Sequence, residues 1–327
     1  MRNDRPSSTA WLIAAGIAYL GDDPELGALI PAGAAETCGS FVRACSARGA
    51  PFLRAMKVPM VRLLIRMVEW WALPGVLLHY VLRKRFLERI VRTALKENFQ
   101  QVVVLGGGFD TLALRLQKEF PDVTFMEVDH PATQGDKRRR LAEAQIAEPR
   151  HVAYVAHDFE HGSMTAALEA GGLNPTKRTF VLWLGVTPYL TEDAVFATLG
   201  ELARLPGGVE VAFDYANPPH AVEEAATRNF HREMAERVAA SGEPFRCYLD
   251  TGELHARALS LGFAEIEDLD RAALVKRYLP LLPVAPRSGP GGHVVRMAAV
   301  EAVVNCGRAS AAYKLSCAAF PAAGVRK

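Results

Sequence analysis

The chain has 327 residues, half of them apolar and 23% charged, with a net charge of +2 at pH 7. That balance belongs to a folded globular chain and excludes a disordered one. So small a net charge implies neither a nucleic-acid nor a membrane partner.

The opening stretch, MRNDRPSSTA, carries an acid and a proline before any apolar run, and does not read as a signal peptide. No run of 18 apolar residues occurs; the nearest, residues 70–82, is broken by Pro74 and His79. The cysteines Cys38, Cys45, Cys247, Cys306 and Cys317 fit no zinc spacing, and an odd number cannot all pair. Reduced thiols in a cytoplasmic protein, with no metal, are the expectation.

Residues 8–97 read as helical. Apolar residues recur at helical spacing in VRLLIRMVEWWAL and RKRFLERIVRTAL. The first of these carries Arg62 and Arg66, so it is expected to pack on a core with its arginines in water. A basic helix at a membrane surface is the alternative. Trp70-Trp71 and Val76-Leu77-Leu78 suit either a helical core or a dimer face, leaving monomer and homodimer both open. We expect a separate N-terminal helical cap over residues 1–97.

After Asn98 the rhythm changes. QVVVLG (101–106), VTFMEVD (123–129), HVAYVAHDF (151–159), TFVLWLGV (179–186) and VEVAFDY (209–215) alternate with helical stretches. Alternating strands and helices predict crossover connections, hence an α/β fold with a mostly parallel, doubly wound sheet. GFAEIEDLD (262–270) and HVVRMAAVEA (293–302) complete seven strands, and the loop PVAPRSGPGG precedes the last. The core thus spans residues 98–302. A helical insertion at 217–248 follows the fifth strand, at the carboxyl edge of the sheet where open α/β folds bind ligands. The Ala- and Ser-rich stretch 303–327 is expected to order weakly.

VVVLGGGFDT poses the functional question. A dinucleotide fingerprint needs a third glycine beside the pyrophosphate, and Thr111 stands there. Asp129, at the tip of the second strand, lies 23 residues after Gly106, where an acid accepts ribose hydroxyls. His157-Asp158-Phe159 ends the third strand, where an acid and an aromatic suit adenine. A glycine turn without a phosphate device, with a ribose acid, points to S-adenosylmethionine. A nicotinamide-dependent oxidoreductase is the distant alternative.

LGGGFDT, EVDHP and WLGVTPYL together resemble the leucine carboxyl methyltransferase family, which includes bacterial polyketide O-methyltransferases of the tetracenomycin type. The family pattern is G-x-G-x-D-T, then V-D-x-P, then W-E-G-V-x-x-Y-L. The resemblance extends from SSTA (7–10) through RKRFLERIV (83–91) to GEPF (242–245), covering about residues 7–300.

It implies a seven-stranded Rossmann-like methyltransferase sheet under a helical cap. The implied reaction is O-methylation of a small-molecule carboxylate or hydroxyl. It further implies that Arg85 holds the methionine carboxylate of S-adenosylmethionine, and that Gly106, Gly107 and Gly108 line the methionine part. Asp129, with His130 beside it, takes the ribose, and Asp158 with Phe159 the adenine. Tyr189 faces the transferred methyl.

Three positions depart from the pattern: Leu184 replaces a glutamate, Leu112 an arginine, and Ile17 an N-terminal arginine. They motivate a second reading, a cofactor-binding protein with lost or altered catalysis. Tyr215, His220, His231 and Arg246 are candidates to touch the acceptor. Asp110 is expected to cap the helix after the glycine turn. The run Lys137-Arg138-Arg139-Arg140 invites a nucleic-acid reading, but Glu143 and Glu148 follow and no aromatics interleave. A solvated helix face is expected there.

Overall fold

The structure is a computed structural model that describes residues 8–45, 48–72, 75–149, 151–221, 225–240, 244–278 and 292–299. Five helices come first: α1 (Ser8–Gly21), α2 (Ala34–Cys45), α3 (Gly49–Ala55), α4 (Pro59–Ala72) and α5 (Val76–Lys96). Strands and helices then alternate through β1 (Gln101–Leu105), α6 (Leu112–Leu116), β2 (Thr124–Asp129), α7 (Pro131–Glu143), β3 (Val152–Ala156) and α8 (Met164–Ala170). β4 (Thr179–Trp183), α9 (Glu192–Leu202) and β5 (Val209–Tyr215) continue the pattern, and α10 (Ala225–Ala240) and α11 (Thr251–Leu261) follow. β6 (Glu265–Leu269), α12 (Arg271–Tyr278) and β7 (His293–Ala299) close the described chain.

The seven strands form one sheet in the order β3-β2-β1-β4-β5-β7-β6. The first five are parallel, and β7 runs antiparallel between β5 and β6. The strand order reverses between β1 and β4, whose carboxyl ends are Leu105 and Trp183. A crevice opens at such a reversal, because the connections leave to opposite faces.

β1, β4 and β5 are buried throughout, and period-two alternation divides their side chains between two cores. Val102, Val104, Phe180 and Leu182 pack with α1, α2, α5 and α6 on one face. Val103, Leu105, Val181 and Trp183 pack with α8, α9 and α11 on the other. Side-chain oxygens of Ser163, Thr191 and Asp250 accept the first free amides of α8, α9 and α11, which fixes where those helices begin.

The seven strands lie where the alternation places them; β5 coincides with its expected stretch, and the others are shorter than theirs by one to four residues. Parts of the expected loop before β7 and of the 217–248 insertion, and all of 303–327, lie outside the described residues.

Two expectations fail. The arginines of α4 do not face water. Arg62 and Arg66 reach inward to the buried Asp23 at 3.2 and 3.1 Å, so the apolar side of the helix is the outward one. Nor is the 137–140 run uniformly solvated. Lys137 is buried and pairs with Glu127, while Arg138 and Arg139 are exposed and paired with Glu148, Glu143 and Asp136. A lysine stem can pass through a core when a carboxylate meets its end.

Candidate functional site

The loop from β1 to α6 makes a turn that needs glycine. Gly106 and Gly108 have φ of +68° and +41°, and a Cβ on Gly106 would sit 2.0 Å from Cγ2 of Val186. Only a residue without a side chain fits there. Asp110 caps the short helix as expected: its Oδ1 accepts the Leu112 amide at 2.6 Å, and its Oδ2 meets Lys84 Nζ at 2.7 Å. Burial alone would push that carboxyl up, but Lys84 and the Leu112 amide hold it far below the ordinary carboxylate range. Thr111 is fully buried, and its hydroxyl accepts from Arg115 at 3.1 Å.

Asp129 ends β2 beneath this turn. Its Oδ2 accepts the Gly108 amide at 2.6 Å and its Oδ1 the His130 amide at 2.7 Å. Each oxygen keeps a lone pair for a further donor. Burial raises its pKa, and the two amides oppose that. His130 caps α7, its Nδ1 accepting the Ala132 amide at 3.3 Å.

Glu127, two residues earlier on the strand, lies under Gly107 and pairs with Lys137, whose Nζ also donates to the Asp110 carbonyl at 2.8 Å. Burial pushes the Glu127 carboxyl up to about 7 against the pull of Lys137. This pair supports the turn from below.

A cavity of about 1140 Å³, counting its open mouth, lies over the turn. Gly106, Gly107, Gly108, Asp129, His130, Phe159, Leu184 and Tyr189 all line it. Phe159 stacks on Trp183 with centroids 6.0 Å apart, which fixes its ring. Asp158 lies in an adjoining recess that shares His130, Phe159 and Tyr189 with the cavity, and that recess also contains Arg246. Asp158 accepts the Glu160 amide at 3.0 Å and faces His161 at 3.0 Å.

Several expected site residues stand elsewhere. Arg85 does not line the cavity; it donates to the carbonyls of Ala28 and Leu29 at 3.2 Å each. Arg83 and Lys84 line it instead, with Tyr80. The reason is helical spacing: positions 80, 83 and 84 share one face of α5, whereas 85 is turned about 200° from 83.

Arg83 pairs with the buried Asp214 at the end of β5, and Asp214 Oδ1 accepts the Gly185 amide at 2.6 Å. Tyr215 points away from the cavity. Its hydroxyl donates to Asp268 at 2.6 Å and its ring stacks on His293 at 4.9 Å. His220 lines a separate surface cleft beneath α10. His231 lies on α10, with its side chain outside what the structure describes. Arg246 pairs with Glu160 at 3.0 Å in the recess.

Of the three departures, Leu184 and Ile17 line the cavity, while Leu112 is buried in the core away from it. The sequence marked Ile17 but not the rest of the α1 wall, Ala10, Ile13 and Ala14. Their spacing of three and four is that of one helix face and was the available signal. Cys38 of α2 also lines the cavity, and burial raises its thiol to about 11.

A glycine turn over an acid-tipped second strand, at the reversal point of a β3-β2-β1-β4-β5-β7-β6 sheet, defines a nucleoside-binding α/β protein. Residues 36–203 match the family model for leucine carboxyl methyltransferase, and the chain belongs to that family.

A candidate S-adenosyl-L-methionine-dependent methyltransferase of Bacillus subtilis, YktD, is 31% identical over 188 residues, 57% of this chain and 61% of that protein. A counterpart from Mycobacterium avium is 32% identical over 165 residues, 49% of this chain and 51% of that protein. The chain thus spans between half and two thirds of the length of these curated relatives. A solved Streptomyces avermitilis protein is similar to it with a TM-score of 0.47 and 16% identity, covering 71% of this chain and 87% of that one. So loose a match leaves the architecture to rest on the strand order itself.

Proposed function

We propose that the chain is an S-adenosylmethionine-dependent O-methyltransferase that acts on the carboxylate of a small, largely apolar acid. The observation that carries this reading is the glycine turn beside Asp129, opening into a cavity walled by α1 and bordered by Arg83 and Lys84. The relatives' names support the cofactor.

The residues present fit that group. Gly106 and Gly108 line the cavity with main chain in a positive-φ conformation that glycine takes without strain, and Asp129 keeps two acceptor sites for a ribose. Phe159 offers an aromatic surface at the adenine end, and Asp158 an acceptor in the adjoining recess. Arg83, which lines the cavity where Arg85 does not, would hold a methionine carboxylate beside Asp214, a task that suits a planar guanidinium. When bound, the cofactor supplies an electrophilic methyl on a sulfonium.

The protein's part is alignment and charge. An ionised acceptor would need no base, so the residues that line the cavity would have only to hold it in line with the methyl that a bound cofactor would supply. Among the described lining residues the only imidazole is His130, and it is engaged in capping α7. A phenol acceptor would have to lose a proton first. Ala10, Ile13, Ala14 and Ile17 favour an apolar body.

We read residues 1–97 as a cap that shapes the acceptor space and 98–302 as the cofactor core. Among the described residues no helix is long and apolar enough to cross a membrane.

Titration calorimetry of the full chain with S-adenosylmethionine and with NAD tests the cofactor. Incubation with S-adenosylmethionine and a panel of carboxylic acids and phenols, followed by mass spectrometry, tests the acceptor. Micromolar binding of S-adenosylmethionine alone and methyl esters from acids are expected. Binding of neither cofactor would favour the non-catalytic reading that Leu184 and Ile17 motivate.

A further inference from the structure

The outward face of α4 has no counterpart in the cavity and no role in the proposed chemistry. Met60, Leu63, Leu64, Met67, Trp70 and Trp71 are between 56% and 81% exposed. They recur every three or four residues, so they form one stripe along the helix, about 17 Å long. The charged residues of α4 turn the other way. Arg62 and Arg66 are tied to Asp23, and Glu69 accepts the Gly75 amide at 2.8 Å. Arg62 also lies over the Tyr19 ring, 4.5 Å from its centroid. The helix is therefore fastened by its polar side and presents its apolar side to the exterior.

The stripe offers on the order of 800 Å² of apolar side chain, more than the largest patch of a typical monomer and about what one partner contributes to a stable interface. Its composition, tryptophan, methionine and leucine without charge, is that of an interface centre.

A membrane surface is the competing occupant, and the charges disfavour it. Helices that lie on bilayers carry lysine and arginine to meet anionic headgroups. Here both helix arginines are committed to Asp23, and the nearby Lys57 is paired with Asp22 at 3.0 Å.

We propose that α4 is the contact surface of a homodimer, packed antiparallel against α4 of a second copy. The two-fold axis passes near Leu64 and Met67. A closed two-fold contact needs a self-complementary patch, and this stripe is one. Its tryptophans at one end meet the other copy's Met60 and Leu63, and sulfur–aromatic contact adds to the burial.

Sedimentation velocity of the full chain from roughly 1 to 100 µM tests it, with affinity read as a dissociation constant. The wild type is expected to sediment at twice the 35.6 kDa chain mass. The double variant Leu64→Glu/Trp71→Glu should sediment as a monomer with unchanged far-ultraviolet circular dichroism. Trp71→Ser, a milder change at the most exposed position, should weaken association at least tenfold, so the outcome does not hang on the charged variant.

A wild type that is monomeric throughout the range overturns the proposal. So does a dimer that both variants retain. A monomer that floats with phosphatidylglycerol vesicles, and loses that behaviour in the double variant, would assign the stripe to a membrane instead.

Discussion

Asp129→Asn is the sharpest perturbation of the site, and its size can be worked from the geometry. The carboxylate has four acceptor sites. The amides of Gly108 and His130 take one on each oxygen, at 2.6 and 2.7 Å, leaving two for the hydroxyls of a ribose. Asparagine keeps one oxygen and puts an NH₂ where the other stood. One amide then faces a donor, and one hydroxyl loses its acceptor. A hydrogen bond to a charged group contributes about 1.5–3 kcal/mol, so folding stability should fall by about that much. Affinity for S-adenosylhomocysteine, a ligand that cannot react, should fall by a similar amount, about 10- to 150-fold in Kd.

Calorimetry and thermal melts of the same preparations separate the two effects. The pH profile adds a check. Burial raises the Asp129 pKa above its ordinary value, and hydroxyls donate to the ionised form. Affinity should therefore weaken as the pH falls through that raised pKa, and the asparagine variant should lack that loss. A variant that binds within threefold of wild type would refute the ribose assignment.

Arg83→Met should abolish measurable cofactor binding and cost about 3–5 kcal/mol of stability, because it strands the buried Asp214. Arg85→Ala should leave affinity unchanged and cost about 1–2 kcal/mol through two lost bonds to carbonyls. Equal affinity losses in the two would contradict the placement of Arg83. Leu184→Glu puts an acid on the cavity wall and should tighten S-adenosylhomocysteine binding by about tenfold without tightening 5′-methylthioadenosine, which lacks the amino-acid end. Parallel changes for both ligands would show that residue 184 does not face the ammonium.

Glu127 offers a pH test of the support beneath the turn. Its folded pKa of about 7 lies above the ordinary glutamate value of 4.5, so its stabilising contribution is complete below 4.5 and is lost as the pH rises through 7. The stability difference between wild type and Glu127→Gln should therefore shrink by roughly 3 kcal/mol from pH 4.5 to 8. Denaturant melts that give a flat difference would exclude a raised pKa.

The sheet was readable because β1, β4 and β5 are short, rich in β-branched and aromatic residues, and separated by helical stretches, so period and composition agree. The glycine turn was readable for a related reason: a backbone that must take positive φ admits few residues, and Gly106 and Gly108 announce it. Asp129 could be found by counting from that turn. What failed depended on rotation about a helix axis. Arg83 and Arg85 are two residues apart and face different surroundings, and the motif does not say which one turns inward. Lys137 illustrates the same limit. Inside a run of four cations nothing local marks the one whose partner, Glu127, arrives from a neighbouring strand. In α4 the amphipathic pattern was correct, and its direction was set by Asp23, a buried acid far away in the chain.

The wall contributed by α1 has a consequence for how this protein can diversify. Its lining residues Ala10, Ile13, Ala14 and Ile17 are small or branched hydrocarbons that meet the cavity by contact alone. A Cβ on Gly108 would already approach that of Ala10 to 3.3 Å, so the helix sits within a methyl group of the glycine turn. Each methylene added or removed there resizes the space beside the cofactor cradle and leaves the hydrogen bonds of Asp129 and Asp110 untouched. The glycine turn with its acid and the hydrocarbon wall of the cavity are thus written in different parts of the chain and can be inherited separately. Under the proposed function, a handful of substitutions in one helix would be enough to change which acceptor fits.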